Sequence, residues 1–111
     1  YLDYNSFKEK WESVESYNCL DGFKESDLSR YFHGACSFGD EIFVFGGLKT
    51  ASTVNSTSFA WNPETGNVRR ITDLPSNIKP PICAISCCSK IYIAGNSGGS
   101  SPKLVMYEYT P

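Results

Sequence analysis

Residues 39–47 read GDEIFVFGG: a turn pair, a charged residue, four consecutive apolar residues and then two glycines. Residues 88–96, CSKIYIAGN, have the same outline. Gly46 and Gly95 stand 49 positions apart (95 − 46), close to the period of about 50 residues known for one class of repeat architecture. At that offset Arg30 falls on Lys79, Gly34 on Cys83, Ala35 on Ala84, Ser37 on Ser86, Ile42 on Ile91 and Phe43 on Tyr92. Gly47 falls on Asn96, the non-glycine residue that best tolerates positive φ, so a left-handed position is expected after the strand in both copies.

Each hairpin is followed by a third strand that ends in an aromatic residue and a turn, SFAWNPETGN at 58–67 and MYEYTP at 106–111. The opening segment YLDYNSFKEKW supplies another copy of this unit, with Tyr4 seven residues before Trp11 as Trp61 is seven before Val68. From Tyr4 to Trp61 is 57 residues, eight more than 49, and the excess falls in the connection ESYNCLDGFKESDLSRYF at 15–32. Short apolar runs bounded by Gly, Pro, Asn and Ser predict strands near 1–4, 11–14, 33–38, 42–46, 57–62, 68–71, 82–87, 91–95 and 104–109, with a single helical turn around 25–30.

The fold class that follows is all-β, in blades of four antiparallel strands. HGACSF and ICAISC come first and carry small side chains; IFVF and IYIA come second and are apolar throughout. Doubly covered second strands behind small first strands suit sheets that converge on an axis, as in a propeller.

At this point the chain resembles Kelch repeats. The resemblance rests on Gly46-Gly47, on Trp61-Asn62-Pro63 with Thr65-Gly66-Asn67, on the span from Tyr4 to Trp11, and on Leu74-Pro75. Val68 stands where the pattern has Trp, Asn96 replaces the second Gly, and Tyr109-Thr110-Pro111 lacks the middle Asp/Asn. The resemblance implies a Kelch-type β-propeller, closest to the BTB-Kelch (Kelch-like) family, of which residues 1–111 form an incomplete part. Residues 1–14 are expected to give the last two strands of one blade, 30–74 a complete blade, and 79–111 the first three strands of the next. The missing blades are expected from the rest of a longer parent chain or from other chains.

Composition narrows the function. Twelve acidic against ten basic residues give a formal charge of −2, with no Lys/Arg cluster longer than Arg69-Arg70, so nucleic acid and membrane surfaces are poor partners. The longest apolar run, Ile42–Phe45, is far below a membrane span. Five cysteines cannot all pair internally, and those inside strand patterns read as small buried hydrophobes, pointing to a reducing, cytoplasmic setting. The Asn55-Ser56-Thr57 glycosylation triplet points the other way, toward a secreted protein.

No catalytic site, cofactor or metal site is expected. His33 is the only histidine, Cys36, Cys83, Cys87 and Cys88 lack paired zinc-ligand spacing, and the copper oxidases of Kelch-like fold draw on two histidines. Short turns alternate with long loops, and the long ones share one face. In Kelch domains that face implies a peptide or protein partner. The candidate partner-binding residues are Arg30, Tyr31, Phe32, His33, Lys49, Thr50, Ser52, Thr53, Lys79, Ser97, Ser100, Ser101 and Lys103. Two functions compete: substrate recognition for a cullin-type E3 ubiquitin ligase, reached through BTB and BACK domains outside this chain, and actin binding in a cytoskeletal Kelch protein.

Overall fold

The structure, a computed structural model, describes residues 9–14, 17–20 and 22–111. Its strands are β1 (Asn18–Cys19), β2 (Gly34–Phe38), β3 (Glu41–Phe45), β4 (Leu48–Thr50), β5 (Thr53–Val54), β6 (Ser58–Trp61), β7 (Asn67–Ile71), β8 (Lys79–Cys87), β9 (Lys90–Asn96) and β10 (Leu104–Tyr109). A 3-10 turn at Glu25–Leu28 fills the site of the expected helical turn. Among the described residues no helix is long and apolar enough to cross a membrane.

The strands form two sheets that matter for the site. One has the order β1-β7-β6-β3-β2, the other β10-β9-β8, and β4 with β5 makes a small hairpin apart. Antiparallel pairing generates both main sheets, between neighbours in sequence except for β3 with β6, which flank the β4–β5 hairpin, and apart from β1, which lies parallel to β7. This is the all-β architecture of an incomplete propeller.

The sheets stack face to face on side chains that alternate along each strand. From the first sheet come Phe43, Phe45, Ala60 and Ile71; from the second, Ile91 and Ile93; and Ile78 and Ile82 enter from the connection and from β8. Phe43 and Phe45 are each only 1% exposed. Burying a side chain of that size stabilises the fold by roughly 1.5–3 kcal/mol. Tyr109 closes the contact, its ring 5.6 Å from that of Phe45 and edge-on to it.

The inner strands meet most closely. A Cβ on Gly34 would lie 2.9 Å from Ile82 Cγ2, and the amide of Ile82 donates to the carbonyl of Phe32 at 2.9 Å. Small residues in the first strand of each repeat are what permit this approach.

The opposite face of the first sheet presents Val44, Phe59, Trp61 and Val68. The segment 17–28 covers it, with Phe23 joining Phe59 and Val68 in a second buried cluster and Cys19 and Leu28 packed alongside. Backbone bonds from Asn18 N to Gly66 O and from Leu20 N to Val68 O, both 2.8 Å, fix the segment to the outer strand. The 15–32 connection therefore supplies a strand that its sequence, polar and without alternation, does not announce. By contrast, the outer face of the second sheet is open: Ile85 is 62% exposed and Met106 61%.

Two expectations are corrected. Residues 11–14 form no strand and Trp11 is fully exposed; a strand needs a neighbour for its backbone groups, and the described residues offer none there. The strand expected at 1–4 lies outside the described residues. The left-handed exit is also shifted in the second repeat: Gly46 (φ 55°) and Gly47 (φ 107°) have positive φ directly after β3, whereas Gly95 and Asn96 do not and the positive-φ pair comes later, at Gly98 (φ 75°) and Gly99 (φ 81°). In the second repeat β9 simply continues through Gly95 and Asn96, Gly95 pairing with Val105 and Asn96 with Leu104.

Candidate protein-interaction face

Strand direction sorts the connections. The chain turns at Gly39-Asp40, at 62–66 and at Cys88-Ser89 on one face, and passes through 46–57, 72–78 and 97–103 on the other. Residues 30–33 enter β2 from this second face. The long loops thus gather at one end of both sheets.

A cleft of about 300 Å³ opens at that end, lined by Gly47, Val54, Asn55 and Ser56 from one loop and by Asp73 through Ser76, Ile78, Lys79 and Pro80 from the next. The two loops are tied, since Leu74 N donates to Ser56 O at 2.9 Å. Asn55 braces its own loop: its Oδ1 accepts from Thr57 N at 3.1 Å and from Thr57 Oγ1 at 2.5 Å. Asn55, the first residue of the glycosylation triplet, is half-buried.

Arg30 is held inside this end. Its five N–H groups donate to Leu28 O (3.3 Å), Gly46 O (3.1 Å), Thr57 O (2.6 Å), Asp27 O (2.8 Å) and Thr57 Oγ1 (3.2 Å). The guanidinium carbon also stands 5.0 Å from the centre of the Phe59 ring, a cation–π geometry. Burial pushes its pKa down to about 10, against the opposing pull of Asp27, so it stays charged at neutral pH. Every donor being committed within the chain, Arg30 acts as a clasp on the first long loop and not as a free anchor.

Tyr31 and Phe32 differ from it. Tyr31 exchanges backbone bonds with Leu48, N to O at 3.0 Å and O from N at 2.7 Å, which seats the β4–β5 hairpin. Both rings are exposed, Phe32 at 56%, and meet edge to face with centroids 5.1 Å apart. Phe32 has φ 58°, a conformation that costs a bulky residue on the order of 1–3 kcal/mol. His33 is exposed, and partial desolvation, with the charge of Arg30 second, holds its pKa below the usual imidazole value.

The remaining candidates divide by loop. Lys49, Thr50, Ser52 and Thr53 are exposed on the β4–β5 hairpin beside Tyr31. Lys79 lines the cleft. Ser97 closes its own loop, donating N–H to Lys103 O and accepting Lys103 N–H at Oγ, both at 3.0 Å; Ser100, Ser101 and Lys103 are exposed beyond it. Sequence reasoning missed the cleft walls at Val54, Asp73, Pro75 and Ile78. The proline-bearing loop TDLPSNIKPP was the available signal, but it gives no indication of which residues face a neighbouring loop.

The span from Arg30 to Pro75, with its clasp, its glycine exit and its four antiparallel strands, is what the family comparison picks out. Residues 29–75 match the family model for the Kelch motif. That match supports a Kelch-repeat protein. No curated protein matches the chain. The Kelch segment holds Arg30 through His33 and the hairpin with Lys49 through Thr53, and Lys79 follows just after it. A Kelch repeat is in general a non-catalytic interaction module, and the features gathered here are those of contact with another protein: exposed aromatics, ammonium and hydroxyl donors, and a shallow cleft.

Proposed function

We propose that the long-loop face recognises a peptide or protein partner, as the substrate-recognition surface of a cullin-type E3 ubiquitin ligase adaptor. The observation that carries the reading is Phe32, a large apolar side chain on a strained backbone, held in solvent against Tyr31 at the inner rim. Aromatic residues with few rotatable bonds are common anchors of protein interfaces. Lys49, Lys79 and Lys103, on the loops at the same end of the sheets, suit a partner segment bearing carboxylates; Cys83 and Cys87, expected as buried hydrophobes, are instead exposed free thiols like Cys88, and free thiols suit a reducing, cytoplasmic setting.

The test compares the parent protein with its Phe32→Gly and Tyr31→Ala variants in co-precipitation with a cullin scaffold and with ubiquitylated clients. Phe32→Gly removes the anchor while relieving its backbone, so client capture is expected to fall at least about tenfold with thermal stability kept or raised. Co-sedimentation with actin filaments, unaccompanied by cullin, would overturn the ligase reading in favour of a cytoskeletal one. Undiminished client capture by both variants would overturn the site.

A further inference from the structure

The thiols of Cys87 and Cys88 lie at the tip of the β8–β9 hairpin, on the short-turn face and away from the loops described above. Their sulfurs are 3.3 Å apart and both residues are exposed. Cys87 pairs with Lys90 to close the hairpin, leaving Cys88 (φ 54°) and Ser89 (φ 64°) as its two central residues. Positive φ at both positions is the type I′ turn that matches strand twist, usually built from Asn and Gly. The turn therefore fixes the backbone on which the two thiols sit.

A pair of neighbouring thiols has two chemical outlets, and geometry separates them. Consecutive Cα atoms across a trans peptide are about 3.8 Å apart, below the roughly 4.4–6.8 Å usual for a disulfide. Direct S–S bonding thus requires the turn to deform. A single thiophilic atom bridging both sulfurs at about 2.3 Å each, a typical thiolate–zinc length, would subtend about 92° at the observed separation. A tetrahedral angle would need the sulfurs about 3.8 Å apart. The pair is within bridging reach of one such atom, and with two sulfurs only it suits a centre that takes two thiolates and keeps a third, non-protein substituent, as pyramidal trivalent arsenic does.

We propose that Cys87 and Cys88 form a chelating dithiol site for monosubstituted trivalent arsenicals. The step is a condensation without redox change: an arsenous species R–As(OH)₂ exchanges two As–O bonds for two As–S bonds, and the two thiol protons leave with the hydroxyls as two waters. Among the described residues no group of three or more His, Cys, Asp or Glu side chains is arranged to hold a metal ion, so the site offers two sulfurs and no third protein ligand. Cys83 shares the strand face of Cys87 but stands four residues away along β8, about 13 Å in an extended strand, too far to join it.

Phenylarsine oxide is the probe. Intact mass analysis of the protein is expected to show one phenylarsenic unit bound with loss of water, stable to excess glutathione and removed by dithiothreitol. Linking two weak contacts on one scaffold raises affinity by about 10²–10⁴. Cys87→Ser and Cys88→Ser are therefore each expected to weaken arsenical binding at least about 100-fold, and Cys83→Ser to leave it unchanged. Circular dichroism checks that the variants fold. Retention of the glutathione-resistant adduct in either single variant would overturn the site, as would its loss in Cys83→Ser. Conversion of the pair by glutathione disulfide into an internal disulfide, seen as loss of both thiols without added glutathione mass, would overturn the preference for chelation.

Discussion

The two repeats share a sequence outline and part company where the second strand ends. In the first, β3 stops at Phe45 and the chain leaves through two positive-φ glycines; in the second, β9 runs on through Gly95 to Asn96. The glycine common to both serves different needs. At Gly46 a Cβ would sit 2.3 Å from Leu74 Cδ1 on a left-handed backbone; at Gly95 the backbone is ordinary and a Cβ would press on Ile78 Cγ1 at 2.7 Å and Lys79 O at 2.8 Å. Arg30 and Lys79, which coincide in the alignment, diverge with them. Arg30 clasps the loop that the glycine exit creates, whereas Lys79 pairs through its backbone with Asn96 and needs no clasp.

The largest expected effect tests the exit itself. Placing at position 47 the asparagine of the second repeat, Gly47→Asn, puts a Cβ 2.6 Å from Tyr31 O, a backbone atom that cannot swing away. Destabilisation of about 2–4 kcal/mol is expected in urea unfolding. The reverse exchange, Asn96→Gly, should cost less, about 1–2 kcal/mol, because it loses the bonds from Asn96 Nδ2 to Pro80 O and from Gly98 N to Asn96 Oδ1. Equal effects would erase the distinction between the repeats.

Next comes the clasp. Arg30→Ala leaves the carbonyls of Gly46 and Thr57 without their guanidinium donors, and a loss of about 2–3 kcal/mol is expected. Arg30→Lys should rescue little, since an ammonium cannot span five acceptors in a plane. A melting temperature unchanged in Arg30→Ala would return this residue to the pool of free anchors.

The hairpin turns give a smaller contrast of opposite sign. Gly39, at φ 59°, takes the only positive-φ position of the first turn, while the second asks it of Cys88 and Ser89. Ser89→Gly is expected to stabilise the protein by roughly 0.5–1 kcal/mol. No gain in the denaturation midpoint would mean that the second turn is not under backbone strain.

The smallest effect concerns His33, whose counterpart by alignment is the buried Ile82. Its folded pKa lies below the ordinary value of about 6.5, so the unfolded chain takes up the proton first as pH falls. The associated stability is whole above the ordinary value and declines on acidification through the window just below it. His33→Gln should accordingly narrow the difference in melting temperature between about pH 7.5 and about pH 5; an unchanged difference would exclude His33 as a contributor.

The strands were legible because their causes are local. Apolar runs, glycine pairs and the Asn62-Pro63 turn fix period and direction without reference to distant residues, which is why β2, β3, β6, β7, β9 and β10 fall close to their expected spans. The fate of Arg30 was not legible. A guanidinium beside aromatic residues reads equally as an interface anchor or as a clasp, and only the arrival of Gly46 O and Thr57 O, 16 and 27 positions away, decides. The same holds for β1, whose two residues become a strand only because Asn67 and Val68 stand opposite them. Phe32 could be named as a candidate, but its positive φ belongs to the junction where its carbonyl meets Ile82, not to its own neighbours in sequence.

The unequal flanks of the stacked sheets give the arrangement a direction. One outer surface is already occupied by Phe23, Cys19 and Leu28, while the other offers Ile85, Leu104 and Met106 to whatever approaches. A sheet joining the stack would meet bare apolar side chains on one flank and, on the other, the segment carrying Phe23 and Leu28, which it would have to pack against or displace.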